Sequence, residues 1–551
     1  MLRVKRFFSM GALIAVINKK DENVAETAFA MLKVLEHEGV DTFGIASPIE
    51  MRIEKSAEAL VNQGIDSPII IGYIFSRILT TDKPQPIKLE DTTLIFEGRL
   101  YSATAENWDA EDFAKKLQRN HEKNAEELIK KAEGDFTFVI AEKGKLIAGR
   151  DVLGVRPLYY GQSANLACLA SERKALWKIG IKNISSFPPG NIALIDEHGF
   201  KFKSVKTLVY SKPRHLMIQT AAKKLQKLLQ QSTKKRVLGL KEVAVAFSGG
   251  LDSSIIAFLA KKTAANVHLI HVSLENQPET EHAKKAAEEL ELPIHFCLFN
   301  EKDVEKTLPK VLWLVEEPDV VKASIGIPVF WAAEKAAKAD FKVMLAGQGA
   351  DELFGGYKRY VNDYSTYGNE TVRKRMFNDI VRMYETNFER DFKLCNFHNV
   401  ELRLPFATYQ MAKFATELPL ELKIKLPDDG MRKLVLRQVA RNLGLPQNIV
   451  EKPKKAIQYT SGVSKALEKL AKKEGLSVRD YMKKTFLIFF KKMRRNEQDC
   501  SSFFTNILSA QPGRWASGIR KALRSNNQRI KERKTLKEQK LAVYRTRKNS
   551  R

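Results

Sequence analysis

The sequence predicts two units of different class: an α+β region over residues 1–205, then an α/β, doubly wound region over 216–480. Three observations carry that division. Up to about residue 205, short apolar runs are punctuated by Gly, Pro and Asp, as in packed strands with tight connections. From 216 onward, apolar strand-like runs alternate with helix-length stretches, the pattern of a parallel sheet covered on both faces. Between the two, Ser211-Lys212-Pro213-Arg214 breaks every periodicity, so 206–215 reads as a linker.

The elements follow in order. Phe7–Ile17 is apolar and comes after Arg3, Lys5 and Arg6, which imitates a secretory leader. No small-x-small cleavage site follows, and Asn18-Lys19-Lys20-Asp21 looks like a turn, so the run is read as a buried strand. Helices are expected over Ala25–Glu38 and Ala110–Lys131, and a hairpin pairs Phe136–Ala141 with Leu146–Ala148. In the second region strands are expected at Val243–Phe247, Val267–Ser273, Ile294–Leu298 and Val343–Ala346. Helices are expected from near Ser253, over Glu279–Leu290, near Val304–Leu314 and over Val329–Lys338.

Composition narrows the class further. Of 551 residues 44% are hydrophobic and 29% charged, which excludes a disordered chain and suits globular domains with real cores. The net charge of +28 favours anionic partners. Part of that excess sits in a basic extension over 481–551: residues 514–551 hold 14 Lys or Arg against two Glu. An extended or weakly helical tail is expected there, with weak nucleic-acid contact as its one suggested role. Four scattered cysteines exclude a disulfide scaffold and a zinc ribbon and suit the reducing cytoplasm. No apolar run is long enough to cross a bilayer, so no membrane association is expected.

The strongest chemical signal is Ser248-Gly249-Gly250-Leu251-Asp252-Ser253-Ser254, set between a buried strand and a helix. Paired glycines let backbone N–H groups approach an anion, the serines add hydroxyl donors, and the helix directs its positive end at the same point. Asp252 could hold magnesium on a phosphate. The chain has no GxxxxGK[ST], so this is not a Walker-type loop. A second element, Leu345-Ala346-Gly347-Gln348-Gly349-Ala350-Asp351-Glu352-Leu353-Phe354-Gly355-Gly356-Tyr357, follows a strand end with two adjacent carboxylates. Val400–Phe406 and Lys452-Pro453-Lys454-Lys455-Ala456-Ile457-Gln458 are a third and a fourth.

The first motif resembles the pyrophosphate loop of ATP pyrophosphatases, and the four together resemble the synthetase domain of the glutamine-dependent asparagine synthetase family. Upstream, Gly149–Tyr160, Ala170–Leu176 and Phe187-Pro188-Pro189-Gly190 are similar to that family's glutaminase domain. The resemblance covers roughly 10–480. It implies an N-terminal nucleophile hydrolase-like fold in front of an ATP pyrophosphatase fold of the adenine nucleotide α-hydrolase type.

What the resemblance implies can be placed residue by residue. ATP would lie across Ser248, Gly249, Gly250, Leu251, Asp252, Ser253 and Ser254, with adenine near Val272, Ala346 and Gly347. Asp252 and Asp351 would hold magnesium. Lys454 would neutralise the departing pyrophosphate, with Lys455 as its rival, and Glu352 would meet the α-amine of aspartate. Ammonia would convert the acyl-adenylate to asparagine. Arg77 and Gly98 would be remnants of a glutamine site, and a homodimer stays open.

Several positions depart from the family pattern. Its nucleophile is a cysteine after the initiator methionine; here Met10 is followed by Gly11. Glycine forms no thioester, so glutamine hydrolysis is expected to be lost. The oxyanion segment reads Glu97-Gly98-Arg99, without the family's Asn. The family's Gly-Glu-Gly reads Gly347-Gln348-Gly349, and Gln348 can position but cannot accept a proton. Its Pro-Phe-Leu-Asp reads Pro405-Phe406-Ala407-Thr408, which leaves the acid substrate open. The alternatives are an amidoligase or RNA-directed modifier with another acceptor, and a non-catalytic regulatory relative.

Overall fold

The computed structural model describes residues 11–36, 40–61, 64–101, 108–117, 120–263, 265–425 and 431–495. The 514–551 tail and the first ten residues lie outside that set.

Two sheets stack face to face in the first unit. The Ala12–Asn18 strand shows why: all seven residues are buried, and its side chains alternate between two cores. Leu13, Ala15 and Ile17 meet Ile95, Val139 and Ala148 of the facing sheet, whereas Ile14 and Val16 meet Met31 and Leu32 of the Ala25–Leu35 helix. Period-two alternation with both faces apolar requires a layer on each side. The seven-stranded sheet runs Ile184–Ser186, Tyr159–Gln162, Leu166–Ala170, Ala12–Asn18, Ile69–Phe75, Thr42–Ala46, Met51–Glu54. The six-stranded sheet contains the expected hairpin, as Gly134–Glu142 with Lys145–Arg150. Helices cover its outer face through Phe113 and Ile129, packed on Phe96 and Phe138. The single helix expected over Ala110–Lys131 is in fact two, Asp109–Leu117 and His121–Lys131. Asn120 starts the second by accepting from the Lys123 N–H at 3.1 Å.

No regular element spans 205–217. The second unit is built on five parallel strands in the order Ile294–Phe299, Asn266–Leu274, Glu242–Ala246, Val343–Leu345, Glu401–Arg403. The last of these was not expected from the sequence; three residues are too few for a periodic signal. Strand order reverses between Glu242–Ala246 and Val343–Leu345. Open α/β sheets bind ligands at that switch point, outside the carboxyl ends of the strands. A long helix, Val478–Arg495, continues past residue 480, where the basic extension was expected to begin. Its Phe490 packs on Trp313 at 4.6 Å and on Trp177 of the first unit at 5.8 Å.

The two units meet through buried charge. Glu401 accepts from Arg99 Nε of the first unit at 2.8 Å and from Arg403 Nε at 2.6 Å, while Asp82 holds the other edge of Arg99 at 2.6 and 2.8 Å. Glu316 accepts the Arg173 and Lys174 backbone N–H groups at 3.0 and 2.7 Å and pairs with Lys393 at 2.9 Å. Glu389 accepts the Tyr159 hydroxyl at 2.7 Å and lies 3.4 Å from Arg150. Burial alone would raise the Glu401 carboxyl; Arg403 and then Arg99 outweigh it and hold the group far below the usual carboxylate range.

A carboxyl whose folded pKa is depressed stabilises fully above its ordinary value and loses that contribution as pH falls toward the folded one. Glu401→Gln should therefore cost about 3–5 kcal/mol at pH 7, because it leaves Arg99 and Arg403 incompletely paired in the interior. The deficit should shrink below about pH 4.3, the ordinary glutamate value. Denaturant titrations of both proteins at pH 7 and pH 3.5 would read this.

Candidate active site

The two sequence motifs converge at the switch point. Ser248–Ser254 follows the Glu242–Ala246 strand and starts the Leu251–Lys261 helix. Gly347–Asp351 follows the adjacent Val343–Leu345 strand. Inside the first loop, Ser248 Oγ accepts the Gly250 N–H and Ser253 Oγ accepts the Ser248 N–H, each at 3.3 Å. These bonds close the loop on itself at the N-terminus of the Leu251–Lys261 helix. Ser254 Oγ and Asp252 Oδ1 are buried and have no hydrogen-bond partner among the described residues.

Asp252 and Asp351 face each other across two ammonium groups. Lys433 Nζ lies 2.6 Å from Asp252 Oδ2 and 2.6 Å from Asp351 Oδ1. Lys454 Nζ lies 3.0 Å from Asp351 Oδ2 and 3.8 Å from Asp252 Oδ2. Burial would raise the Asp351 carboxyl, but Lys433 and then Lys454 hold it well below the ordinary range. The two carboxylates reciprocally raise Lys454 above the usual lysine value against its own desolvation. Asp351 and Lys454 are therefore both charged at neutral pH. Gly356 is required beside them: a Cβ there would lie 1.8 Å from Asp351 Oδ1 and 2.5 Å from Lys433 Cε.

Sequence reasoning missed Lys433. It belongs to none of the four motifs, and its mark is a left-handed backbone, φ 62°, which a non-glycine residue rarely adopts. Lys455, the expected rival of Lys454, pairs instead with Glu279 at 2.8 Å.

Glu352 and Gln348 lie on the same loop. Glu352 Oε1 accepts from Asn387 Nδ2 at 2.7 Å and from the Tyr357 hydroxyl. Burial, and then Asp351, raise its carboxyl above the ordinary value. Gln348 Nε2 donates to Asp391 Oδ2 at 2.7 Å, and Asp391 is held in turn by Arg390 at 2.7 Å. Thr408 caps the Tyr409–Glu417 helix, its Oγ1 accepting the Met411 N–H at 3.1 Å. A hydroxyl performs that capping task as an aspartate would. Val272 and Ala346 are buried on or beside the strands flanking the switch point.

In the first unit a cavity of about 40 Å³ is lined by Gly11, Tyr73, Glu97, Gly98, Arg99 and Arg156, among others. It has room for a few waters. A Cβ at Gly11 would lie 2.1 Å from the Tyr73 hydroxyl, so Tyr73 fills the space a side chain would need. Glu97 accepts from Ser171 Oγ at 2.8 Å, and burial pushes its carboxyl up to about 7 against the pull of Arg156. Arg77 does not join this group. It is exposed, and its Nε donates to the Asp82 carbonyl at 3.3 Å. Cys168 lies buried in the Leu166–Ala170 strand.

Comparison with known proteins agrees with this division. The family model described as asparagine synthase matches residues 224–367 and 361–499, and that of a glutamine amidotransferase domain matches 75–178. A putative glutamine-hydrolysing asparagine synthetase of Methanocaldococcus jannaschii is 30% identical, over 85% of this chain and 96% of its own length. An asparagine synthetase of Arabidopsis thaliana is 28% identical, over 70% of this chain and 69% of its own. With an N-terminal nucleophile hydrolase-like unit in front of an ATP pyrophosphatase unit, the chain belongs to the asparagine synthetase family.

Proposed function

We propose that the protein is an ATP-dependent amidoligase that adenylates the side-chain carboxylate of aspartate and amidates it with ammonia, giving asparagine, AMP and pyrophosphate. One observation carries the reading: two carboxylates and two lysines are gathered beside a coiled Ser/Gly loop at the switch point. Backbone N–H groups of Ser248–Ser254 bind the phosphates, and Val272, Ala346 and Gly347 border the adenine. Asp252 and Asp351 are the residues that would hold magnesium. The unpartnered buried Asp252 Oδ1 fits that ion, and one or two carboxylates completed by nucleotide phosphates are an ordinary donor set for it. When bound, magnesium screens the phosphate charge.

The chain's own groups then account for each step. The aspartate carboxylate attacks the α-phosphorus and pyrophosphate departs. Lys454 and Lys433 turn from the carboxylates to the oxygens on which negative charge accumulates, a contribution greatest in the transition state. Ammonia attacks the acyl-adenylate and AMP leaves. Gln348, fixed by Asp391, presents an acceptor that orients the attacking nitrogen but takes no proton. Glu352 meets the α-amine of aspartate.

Glutamine is not the nitrogen donor on this reading. Gly11 supplies no nucleophile, Tyr73 occupies the space of one, and Glu97 stands where an oxyanion donor is needed.

Lys454→Ala should lower pyrophosphate formation at least 100-fold while the Kd for ATP changes less than about fivefold, since one aimed transition-state contact is worth about that much. Single-turnover pyrophosphate release and equilibrium nucleotide binding measure the two quantities; unchanged turnover would remove Lys454 from the mechanism.

With ATP, magnesium and aspartate supplied, ammonium should yield asparagine and glutamine should yield neither asparagine nor glutamate. Amino-acid chromatography reads the outcome. Glutamate released in step with asparagine would reject the loss of hydrolysis, and no pyrophosphate with any amino acid would reject the ligase reading itself.

A further inference from the structure

Lys452-Pro453-Lys454-Lys455 puts three cations within four residues, next to two half-buried aspartates. Residues 452–456 belong to no helix or strand, so local backbone structure does not decide which ammonium reaches Asp351. Catalysis tolerates little ambiguity of this kind, because a displacement of about 1 Å can cost a rate factor near 100.

The loop is held from two directions. Its carbonyls are fixed by two arginines: Arg432 Nη2 donates to Lys454 O at 2.7 Å, and Arg437 Nη2 donates to Lys452 O at 3.0 Å. Its side chains are sorted by a carboxylate. Glu279 lies in the first turn of the Pro278–Glu289 helix and is buried. Its Oε2 lies 3.1 Å from Lys452 Nζ, and its Oε1 accepts from Lys455 Nζ at 2.8 Å. Lys454 Nζ alone of the three is turned to Asp351 and Asp252.

Nearby contacts tie the same two segments together. Leu274 N–H, just before the helix, donates to Ser461 O at 2.8 Å, and Asn448 Nδ2 donates to Glu289 Oε1 at 2.8 Å. The Glu279 pairing differs from these because it acts on the lysine side chains themselves. The sequence offers no hint of it: Glu279 lies 176 residues from Lys455 and in none of the site motifs.

We infer that Glu279 is a positioning residue for the proposed ligase reaction: by engaging Lys452 and Lys455 on one side of the loop, it selects Lys454 as the cation that serves the phosphates. This rests on the proposed function for its catalytic consequence, and on geometry alone for the hold on the loop. Without the Glu279 charge, Lys452 and Lys455 compete for the two aspartates and the loop loses its side-chain anchor.

Two readouts on the full chain test it. Glu279→Gln keeps the shape and removes the charge. At saturating ATP it should lower kcat for pyrophosphate formation about 10- to 100-fold, with KM for ATP within about threefold and the thermal midpoint within a few degrees. Limited trypsin cleavage after Lys454 and Lys455 should become several-fold faster. Glu279→Asp should recover most of the kcat loss. Lys455→Met, at a side chain 62% exposed, should reproduce a milder form of the kcat loss and of the faster cleavage after Lys454. Unchanged cleavage in Glu279→Gln would overturn the hold on the loop. Faster cleavage with unchanged kcat would overturn the selection of Lys454, and kcat falling only together with the thermal midpoint would reduce Glu279 to a structural role. Should the native protein form no pyrophosphate at all, the proposed function fails, while the cleavage comparison still decides whether Glu279 holds the loop.

Discussion

Two aspartates cannot be held side by side, half-buried at the end of a sheet, without cations between them. Asp252 and Asp351 are brought together because their loops leave neighbouring parallel strands where the strand order reverses. The like charges would drive the loops apart or force one carboxyl to protonate. Lys433 and Lys454 prevent both, at 2.6 to 3.0 Å. Much else near the site serves that neutralisation. Gly356 makes room for the Lys433 stem, an unusual left-handed backbone orients Lys433, and Arg432, Arg437 and Glu279 fix the loop that carries Lys454. The arrangement suits phosphate chemistry because the same ammonium groups can exchange a carboxylate partner for a phosphate oxygen as charge develops there.

A second buried network joins the two units, and it gives a structural meaning to the upstream motifs. Arg150, Tyr159, Arg173 and Lys174 lie in the segments that resemble a glutaminase domain, yet their partners are Glu389 and Glu316 of the other unit. Those residues dock the first unit onto the second. The segments nearer Gly11 face inward instead: Tyr73 crowds Gly11, and a buried Glu97 lines the cavity there. The first unit thus presents a docking surface to the second and, separately, a small cavity of its own beside Gly11. Buried ion pairs contribute little net stability over apolar packing, but losing one partner is costly, which favours keeping the whole set.

The departures from the family pattern are of unequal weight. Thr408 replaces a carboxylate but caps a helix, so that exchange is explained by local structure and says little about the substrate. Gln348 is different. Its amide is tied to Asp391, which is tied to Arg390, so the loss of an ionisable group there is built into a buried hydrogen-bonded chain.

The sequence by itself determined the two fold classes, four of the five parallel strands and the turn that carries Ser248–Ser254. Those features are local: hydrophobic periodicity, Gly/Ser runs and strand–helix alternation are written within a window of ten or twenty residues. It also marked Asp252 and Asp351 as candidates through their loops, and Lys454 through the family resemblance. Only the tertiary structure decided what balances them. Lys433 and Glu279 sit in unremarkable polar stretches, and Glu401 lies on a strand too short to show a period. Each matters because of a partner far away in the chain: Lys433 lies 181 residues from Asp252, Glu279 lies 176 from Lys455, and Glu401 lies 302 from Arg99. Charge compensation in a protein interior is a property of what folding brings within 3 Å, and no local pattern records it.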